Sequence, residues 1–519
     1  RPRARSHTRI SHHRCRPLML ARSVGWLYLR IEWITRDRAP SRQYSSLQHQ
    51  TPRRAASAPP MARVLRTSLV APSPAGAALH ERSLPLTYLD ALWLHATPVE
   101  RVFFYPDATS DVLSNLTDSL VAPSPAGAAL HERSLPLTYL DALWLHATPV
   151  ERVFFYPDAT SDVLSNLTDS LSNALAAFYP LAGRLRLTPG AHNRYELHYQ
   201  PGDGVTFTVA EHHHVGFGEL ATDDPTEVAK IVPLVPPLPE GGAVLAVQAT
   251  VLRGGLAIGV TVHHAACDGV SSTHFLRTWA WAAAACSGAS APEPPFVDRS
   301  IIRPRDDLYD AFTAPRLSSN DDGGKPPDLP VVQQLLAAFT LSKEHLQSIK
   351  AAVAGEAGCR GVPPPRATSI IAAFGFIWQC YVRAKPGTDG KAASSCGGRA
   401  YFLLPADHRT RLEPPVPDEY LGNCLGPCIA SAPRRDVAAA GADGLFTACA
   451  AIATAIDGVV RDGAAYWDGW MERIIEAYSA GGFPQTVAGS PRFRVYDTDF
   501  GFGRPAKVDV VSAARTGSI

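Results

Sequence analysis

The chain has 519 residues, of which 46% are hydrophobic and 19% are charged. This length exceeds what one hydrophobic core usually supports, and the balance is that of a folded globular protein, so we expect two domains and exclude an intrinsically disordered chain. The net charge of +1 conceals an asymmetry, because residues 1–60 carry thirteen arginines against only Glu32 and Asp37. The remainder is therefore acidic overall, which argues against nucleic acid as a partner because phosphate binding needs clustered cations.

The nine cysteines are odd in number and scattered, so they indicate a reducing compartment rather than a disulfide framework. Cys424 and Cys428 form the closest pair, but no second pair matches them, so we expect no structural zinc site. The best apolar stretch, which starts at Pro17, is interrupted by Arg22 and Arg30, and no run reaches the length that spans a bilayer. We therefore expect a cytoplasmic protein without a membrane partner.

The first sixty residues are rich in Arg, Ser, His and Pro and show no helical or strand periodicity, so we expect residues 1–60 to be disordered. Two interpretations of this leader stay open. It could be an organelle transit peptide, or it could be a non-native extension translated from upstream sequence. The second is favoured because Met61 opens MARVLRTSLVAPSP, where turn residues and apolar alternation begin.

A duplication follows the leader, because residues 68–118 recur without a single change as residues 119–169. Repeat architectures normally contain three or more units that tolerate drift. Two identical copies therefore indicate a recent duplication or an assembly error. Only one copy can occupy one site in a fold, so we expect the other copy to be displaced.

Beyond the duplication, apolar periodicity predicts a helix, a strand hairpin, a second helix and then alternating helices and strands. The clearest predicted elements are residues 172–179, 244–251, 256–263, 271–286, 369–382 and 399–404. The polar, Pro-rich residues 287–330 form a crossover linker between the halves. We therefore expect an α/β protein with an N-terminal domain over residues 61–286 and a C-terminal domain over residues 331–519.

Two imidazoles end the second predicted strand, in the sequence VTVHHAACDGVSS that starts at Val260. If the strand continues by one residue, its two-residue period puts His264 in phase with Val262 on the core side. A partly buried imidazole stays neutral more readily, as a general base requires. A core histidine that bonds a backbone carbonyl gives the same pattern, so both interpretations stay open here.

Neighbouring residues leave similar alternatives. Asp268 could orient the imidazole, or it could form a turn and begin the next helix, since Asp-Gly favours turns and Asp favours helix starts. Cys267 could be a nucleophile, although small cysteines are usually buried filler. The histidine run at residues 212–214 could bind a metal, but adjacent residues of an extended chain point to opposite faces, so we expect no metal site.

A second cluster, YDTDFGFGRPAKVD, starts at Tyr496. Gly501 and Gly503 permit backbone conformations that side chains would obstruct, and no GK[ST] follows as it would in a phosphate loop. Together with HHAACDG, this cluster resembles the BAHD acyl-CoA-dependent acyltransferases of plants, whose signatures are HXXXD and DFGWG. The first signature is complete in this chain, and Phe502 stands where the family usually has Trp in the second.

The resemblance extends through LPLTYLDALWL in both copies, FYPLAGRLR, DHRTRLEPPVPDEYLGNC and SPRFRVYDTDFGFGRP. It is strongest for the branch that acylates anthocyanin and other phenolic glucosides, often with malonyl donors. The fold that it implies is α/β, with two chloramphenicol-acetyltransferase-like domains and the active-site channel at their interface. Family members usually continue with another strand and helix, so we expect the C-terminal domain to be truncated at its end.

The resemblance also implies a mechanism. An acyl-CoA would be the co-substrate, a phenolic glycoside the acceptor, and His264 the base that deprotonates the acceptor hydroxyl without a covalent enzyme intermediate. Asp268 would be structural, and Asp499 would shape the fold near the CoA channel or take part in catalysis. The remaining motif residues with implied structural roles are Gly269, Phe500, Gly501, Phe502 and Gly503.

The acyl group of the donor stays open between malonyl and hydroxycinnamoyl, and a malonyl carboxylate would favour a nearby cation such as His274 or Arg277. No permanently bound cofactor or metal is expected, and a monomer is expected. Two alternatives to this function stay open. The chain could be an inactive remnant, disabled by duplication and truncation, or a metal hydrolase that uses the histidine run.

Overall fold

The computed structural model describes residues 27–32, 114–124, 130–284, 290–314, 334–384, 398–479, 484–516 and 518. All of these belong to residues 1–34 and 106–519, one of the two units into which the chain divides. The other unit, residues 35–105, lies outside the described residues.

The described residues contain fifteen strands and twelve α-helices, with short 3-10 turns between them. The strands are β1 (Leu27–Glu32), β2 (Ser114–Val121), β3 (Arg133–Pro136), β4 (Val150–Pro157), β5 (Arg184–Leu187), β6 (Tyr195–Tyr199), β7 (Val205–Gly216), β8 (Thr226–Glu227), β9 (Leu245–Arg253), β10 (Gly255–Val262), β11 (Leu335–Thr340), β12 (Arg399–Asp407), β13 (Leu425–Pro433), β14 (Gln485–Thr486) and β15 (Lys507–Val510). The helices are α1 (Tyr139–Ala142), α2 (Leu164–Ala177), α3 (Phe217–Leu220), α4 (Val228–Ile231), α5 (Gly269–Ala283), α6 (Asp306–Thr313), α7 (Lys343–Arg360), α8 (Ser369–Ala384), α9 (Arg434–Val437), α10 (Ala442–Asp462), α11 (Trp470–Ser479) and α12 (Val511–Thr516).

The largest sheet has six strands in the order β15-β4-β10-β9-β7-β2. Its centre is antiparallel, while β7 runs parallel to β9. The strand β15, from late in the chain, pairs antiparallel with β4 from the first half. Three further sheets have three strands each, in the orders β13-β12-β14, β3-β6-β5 and β1-β11-β8. The mixture of helices and sheets confirms the predicted α/β class, and the two halves of the chain share the largest sheet.

Two principal clusters of buried side chains hold these layers together. In the first, Trp279 of α5 and Phe178 pack with Phe154 from the six-stranded sheet. In the second, Trp378 of α8 packs against Phe402 of β12, with ring centroids 5.7 Å apart. Full burial of one such aromatic or aliphatic side chain contributes roughly 1.5–3 kcal/mol.

The hairpin predicted before the histidine pair is confirmed, with β9 and β10 antiparallel and joined at Gly254. Gly254 has φ +88°, a left-handed conformation that glycine adopts without steric cost. Helix α5 begins two residues earlier than predicted, at Gly269, because the Asp268 side chain accepts hydrogen bonds from its first turn. The hairpin and the helix together position the loop that carries His264.

The described part of the predicted linker, residues 290–314, is more ordered than its composition indicates. It contains helix α6, whose Leu308, Tyr309 and Phe312 are buried. It also contains the 3-10 turn Arg299–Ile301, where the Arg299 side chain is buried. These apolar residues at helical spacing join the first core cluster.

One described helix, α10, is long and apolar enough to cross a membrane by length and composition, whereas the sequence analysis found no such run. In the structure, one side of α10 is buried in the second cluster, including Leu445, Ala448, Cys449 and Ile452. This packing is that of a core helix in a globular protein.

The second copy of the duplicated segment supplies β3, α1, β4 and the start of α2. Of the first copy, residues 68–113 lie outside the described part of the chain, and residues 114–118 begin strand β2. The same five letters, SNLTD, are therefore strand at residues 114–118 and helix at residues 165–169. Strand β1 lies within the leader that was expected to be disordered, so for those six residues the structure differs from that expectation.

We predict that deleting residues 68–118 leaves the fold intact and gives an equal or higher unfolding temperature with a sharper transition. The second copy already fills the site in the core, and the deletion rejoins Thr67 to Ser119. It also places RVLRT where SNLTD begins β2, and the β-branched Val64 and Thr67 suit a strand at the sheet edge. Differential scanning calorimetry of both forms checks the prediction. A lower unfolding temperature for the deleted form would show that the first copy has a structural role.

Candidate active site

His264 lies in the turn that joins β10 to α5. The strand ends at Val262, so His264 does not continue the strand as the two-residue phase argument assumed. Its half-buried imidazole instead stacks on the indole of Trp144, with ring centroids 3.9 Å apart and planes inclined by 13°. Trp144 follows helix α1 in the second copy of the duplicated segment, which therefore forms one wall of the site.

Asn423 holds the other edge of the imidazole. Its Oδ1 lies 3.2 Å from His264 Nδ1, and its Nδ2 donates to the backbone oxygen of His264 at 2.9 Å. Asn423 belongs to the YLGNC segment, 159 residues further along the chain. The two halves of the sequence therefore meet at the imidazole.

The environment keeps the His264 imidazole neutral. Burial is the main cause and lowers its pKa to about 4, although Asp268 and the hydrogen bond to Asn423 act in the opposite direction. At neutral pH the ring is therefore the neutral imidazole, which carries one proton and not two. A neutral imidazole can accept a proton, which a protonated one cannot.

Asp268 is occupied by structural contacts. Its Oδ1 accepts hydrogen bonds from the backbone amides of Val270 and Ser271 at the start of α5, each at 3.0 Å. Both carboxylate oxygens also bind the guanidinium of Arg409, at 2.8 Å and 3.0 Å, and Oδ2 accepts from the amide of Cys424 at 3.0 Å. None of the hydrogen bonds found for Asp268 among the described residues reaches the His264 ring.

Cys267 is buried beside this loop as a free thiol. Burial raises its pKa to about 12, with a further contribution from Asp268. The sulfur is therefore protonated at neutral pH, which is the unreactive form of a cysteine. This supports the interpretation of Cys267 as a core residue rather than a nucleophile.

The DFGFG segment forms a turn closed by its own aspartate. Asp499 Oδ1 accepts hydrogen bonds from the backbone amides of Gly501 at 2.8 Å and Gly503 at 3.0 Å. Both glycines have left-handed φ values, +96° and +102°, that strain other residues. The described contacts of Asp499 are therefore those of a turn.

The aromatic residues of this turn pack against helix α5 and strand β4. Phe500 is buried and packs edge-on against Trp279 of α5, at 4.7 Å between centroids. Phe502 meets Tyr156 of β4 edge-on at 5.1 Å, in the place where the family usually has Trp. Gly269 allows Phe493 to pack closely against the start of α5, because a Cβ at position 269 would collide with the Phe493 ring.

The two cations considered for a malonyl group have other contacts. His274 Nε2 lies 2.8 Å from the backbone oxygen of Glu293, and Arg277 donates to the backbone oxygen of Phe493 at 3.1 Å. The sequence analysis missed a third cation, Arg152 of β4. Its signal was an arginine that directly precedes the apolar run VFFY, where a buried charge needs a reason.

Arg152 is 9% exposed, and its hydrogen bond within the described residues goes to the neutral hydroxyl of Ser272, at 3.1 Å. No ion pair joins Arg152 to a carboxylate among those residues. Burial lowers its pKa more than the nearby Asp268 carboxylate raises it, so burial opposes the charge of Arg152. Its charge also lowers the pKa of His264, as a smaller effect than burial.

The histidine run lies in β7, where His212 is buried and the side chains of residues 213 and 214 are outside the described set. Within the described part of the chain, no group of three or more His, Cys, Asp or Glu side chains is arranged to hold a metal. The six cysteines described there, including the pair Cys424 and Cys428, are free thiols.

Comparison with known proteins identifies the class to which this fold and site belong. The model of a family described as the Transferase family matches residues 118–519, starting at the last residue of the first repeat copy. The chain therefore belongs to this family, the BAHD acyltransferases, and it is an acyltransferase.

Proteins of similar sequence are named as acyltransferases of anthocyanin, anthocyanidin or phenolic glucosides. The chain is 29% identical over 450 residues to a malonyl-coenzyme A:anthocyanin 3-O-glucoside-6''-O-malonyltransferase of Dahlia pinnata, covering 79% of this chain and 91% of the relative. It is 29% identical over 427 residues to phenolic glucoside malonyltransferase 1 of Arabidopsis thaliana, covering 76% and 87%. A coumaroyl-CoA:anthocyanidin 3-O-glucoside-6''-O-coumaroyltransferase of the same plant is 28% identical over 428 residues, covering 76% and 88%.

The crystal structure of vinorine synthase shares the fold, with a TM-score of 0.51 at 20% identity over 76% of this chain and 88% of that one. The TRI101 structure of F. sporotrichioides, complexed with coenzyme A and T-2, has a TM-score of 0.50 at 15% identity, covering 72% and 88%. These similarities confirm the predicted fold.

We predict that Asp268→Ala lowers the free energy of unfolding by about 3–5 kcal/mol, because it leaves the buried guanidinium of Arg409 without its partner. Denaturant titration followed by circular dichroism measures this change. The control is Asp457→Ala, which breaks an exposed ion pair with Arg366 and is expected to cost about 1 kcal/mol or less. Equal effects of the two substitutions would contradict the structural role of Asp268.

Proposed function

We propose that the chain transfers an acyl group from an acyl-CoA to a hydroxyl group of a phenolic or anthocyanin glucoside, with His264 as the general base. The observation that carries the proposal is the His264 site, where the imidazole is neutral and its Nδ1 edge is held by Asn423. This leaves Nε2 as the nitrogen that can accept a proton. The names of the similar anthocyanin and phenolic glucoside acyltransferases support the acceptor class.

The proposed reaction has two proton transfers and one acyl transfer. His264 Nε2 takes the proton of the acceptor hydroxyl as its oxygen forms a bond to the thioester carbonyl carbon. The carbon–sulfur bond then breaks, and the protonated imidazole returns the proton to the departing thiolate. The products are the ester and free CoA, and no covalent enzyme intermediate is needed because the thioester is already activated. Asp268 and Asp499 keep structural roles in this scheme, as their contacts suggest.

For the donor, we propose a malonyl group in preference to hydroxycinnamoyl. The support is Arg152, a buried cation that donates to Ser272 in the first turn of α5, the helix after the His264 loop, and that lacks a carboxylate partner among the described residues. A malonyl carboxylate would supply the missing counter-charge, whereas a hydroxycinnamoyl ring would not. The free thiols support a cytoplasmic location for the reaction.

We predict that His264→Ala lowers kcat roughly a hundredfold or more without unfolding the protein, as expected when a general base is lost. The assay supplies malonyl-CoA and a panel of flavonoid glucosides and follows CoA release, with and without a chelator. The matched control is His263→Ala, which removes the neighbouring imidazole. Near-normal turnover by His264→Ala would exclude the proposed base, and loss of activity on chelation would favour a metal-dependent reaction. No turnover by the unaltered protein would favour an inactive remnant.

We predict that Arg152→Met lowers kcat/KM at least about tenfold for malonyl-CoA but much less for acetyl-CoA, because only the malonyl group carries a carboxylate. Initial rates with the two donors, measured on the same protein preparation, give the ratio directly. Arg152→Lys keeps the charge and should retain part of the preference. An equal loss with both donors would assign Arg152 a structural role and leave the donor preference to other residues.

A further inference from the structure

The buried polar side chains behind His264 form a continuous chain through Asn423 and Asp141 to Arg299. We propose that Asn423 and Asp141 are positioning residues that fix the His264 imidazole in the tautomer that leaves Nε2 free to accept a proton. This inference rests on the proposed function, in which His264 is the base. It adds a role for two residues that the HXXXD and DFGWG signatures do not contain.

The orientation of the Asn423 amide follows from its own partners. Its Nδ2 donates to Asp141 Oδ1 at 3.0 Å and to the backbone oxygen of His264 at 2.9 Å, and both of these atoms act as acceptors. The atom that faces His264 Nδ1 must therefore be the carbonyl oxygen, Oδ1. A carbonyl oxygen only accepts, so His264 Nδ1 carries the proton and Nε2 has the free lone pair.

Asp141 and the backbone oxygen of His264 together oppose rotation of the amide, and Asp141 is the one of these acceptors that a substitution can remove. Its Oδ1 accepts from both the backbone amide of Asn423, at 2.8 Å, and from Nδ2. If Asp141 were absent, Asn423 could rotate by half a turn and present Nδ2 to His264 Nδ1. That arrangement would require an unprotonated Nδ1 and a proton on Nε2, which is the tautomer that cannot act as a base.

Asp141 is itself held as a carboxylate. It is 0% exposed, and its Oδ2 accepts from the backbone amide of Thr138 at 2.9 Å and from the Thr138 hydroxyl at 2.8 Å. The Arg299 guanidinium lies 3.4 Å from the same oxygen. These partners all donate, which is the environment of an ionised carboxylate.

Arg299 ties the chain to the loop that bears Asn423. Its Nη1 donates to the hydroxyl of Tyr420 at 2.5 Å, and its guanidinium lies 5.0 Å from the centre of that ring. Burial opposes the charge of Arg299, but Asp141 and Tyr420 raise its pKa, so it remains a cation. The interaction fixes Asp141 and the 420–424 loop relative to each other.

Two other charged groups act on His264, Asp268 from its own loop and Arg152 from β4. Neither forms a hydrogen bond with the imidazole among the described residues. They shift its protonation equilibrium but do not select which nitrogen carries the proton. Selection of the tautomer is therefore assigned to the hydrogen bonds of the ring, with its own backbone and with Asn423, and of these two only the Asn423 contact depends on a second side chain.

The test compares Asn423→Leu and Asp141→Asn with two controls. Asp90→Asn changes the identical residue of the first repeat copy, in the same sequence context as Asp141. Gln379→Leu removes a buried amide from the second core, where its Nε2 donates to the backbone oxygens of Ala439 and Gly441. Nitrogen-15 NMR of histidine-labelled protein, assigned by difference from His264→Ala, reports the tautomer of His264 without any need for turnover.

We expect Asn423→Leu to move the His264 signals toward the Nε2-protonated tautomer and to lower kcat at least about tenfold, with KM for the acyl-CoA nearly unchanged. Asp141→Asn should shift both in the same direction, and neither control should alter the tautomer or kcat. Unchanged His264 signals in Asn423→Leu would overturn the proposal, even if activity fell. An effect of Asp90→Asn equal to that of Asp141→Asn would overturn the assignment of Asp141. If turnover survives in His264→Ala, the proposed function fails while the NMR result still decides the tautomer.

The double variant Asp141→Asn/Asn423→Asp supplies a rescue. A carboxylate at position 423 can only accept, so it demands the same Nδ1 proton, and its charge stabilises imidazolium. It loses the donation from Nδ2 to the backbone oxygen of His264, so the recovery is partial. We expect kcat to recover relative to Asn423→Leu, while the pKa of His264 rises. Activity requires the neutral ring, so it is present above that pKa, and the acid limb of kcat/KM moves to higher pH. Failure to recover any activity in a folded double variant would contradict selection by an acceptor at this position.

Discussion

The bidentate ion pair between Asp268 and Arg409 is the constraint on which the site depends. It joins the start of α5 to the segment after β12, and both side chains are almost completely buried, at 0% and 1% exposure. A buried carboxylate that already binds a guanidinium and three backbone amides has no capacity left for the imidazole. The ion pair therefore fixes the distance between the two halves, and the neighbouring loops can place His264 and Asn423 in contact. The motif carboxylate supports the site without touching the base.

The sequence was informative where a short motif carried the chemistry. The pattern HHAACDG made His264 a candidate base and Asp268 a candidate helix cap, because both features are local, and the base was favoured once DFGFG completed the family resemblance. The role of Asn423 was not predictable in the same way, although YLGNC was noted. Its partners His264 and Asp141 are 159 and 282 residues away, and only the fold brings them together. The pattern also placed His264 on a strand, whereas the turn after Val262 directs its ring toward Trp144.

Local sequence alone does not determine the secondary structure of the duplicated segment. SNLTD forms a strand at residues 114–118, where β2 pairs with β7, and a helix at residues 165–169, where Leu167 is buried beneath α5. Identical letters have identical propensities, so the difference arises from tertiary pairing. The duplication also bears on function, because LTYLDALWL contributes both Asp141 and Trp144. Only the copy that is docked in the core can hold Asn423 and stack on the imidazole.

The charges around His264 explain how a base with carboxylates nearby stays neutral. Asp268 and Asp141 would each favour imidazolium if they were uncompensated. Arg409 neutralises the first and Arg299 the second, both through buried contacts. Burial of the imidazole then lowers its pKa more than Asp268 and the hydrogen bond to Asn423 raise it, and Arg152 adds a smaller lowering effect. Because each carboxylate is matched by an arginine, it can position side chains through hydrogen bonds without protonating the base. If the proposed malonyl carboxylate binds Arg152, it offsets the lowering effect of that charge, so the proton affinity of His264 rises when the donor is bound.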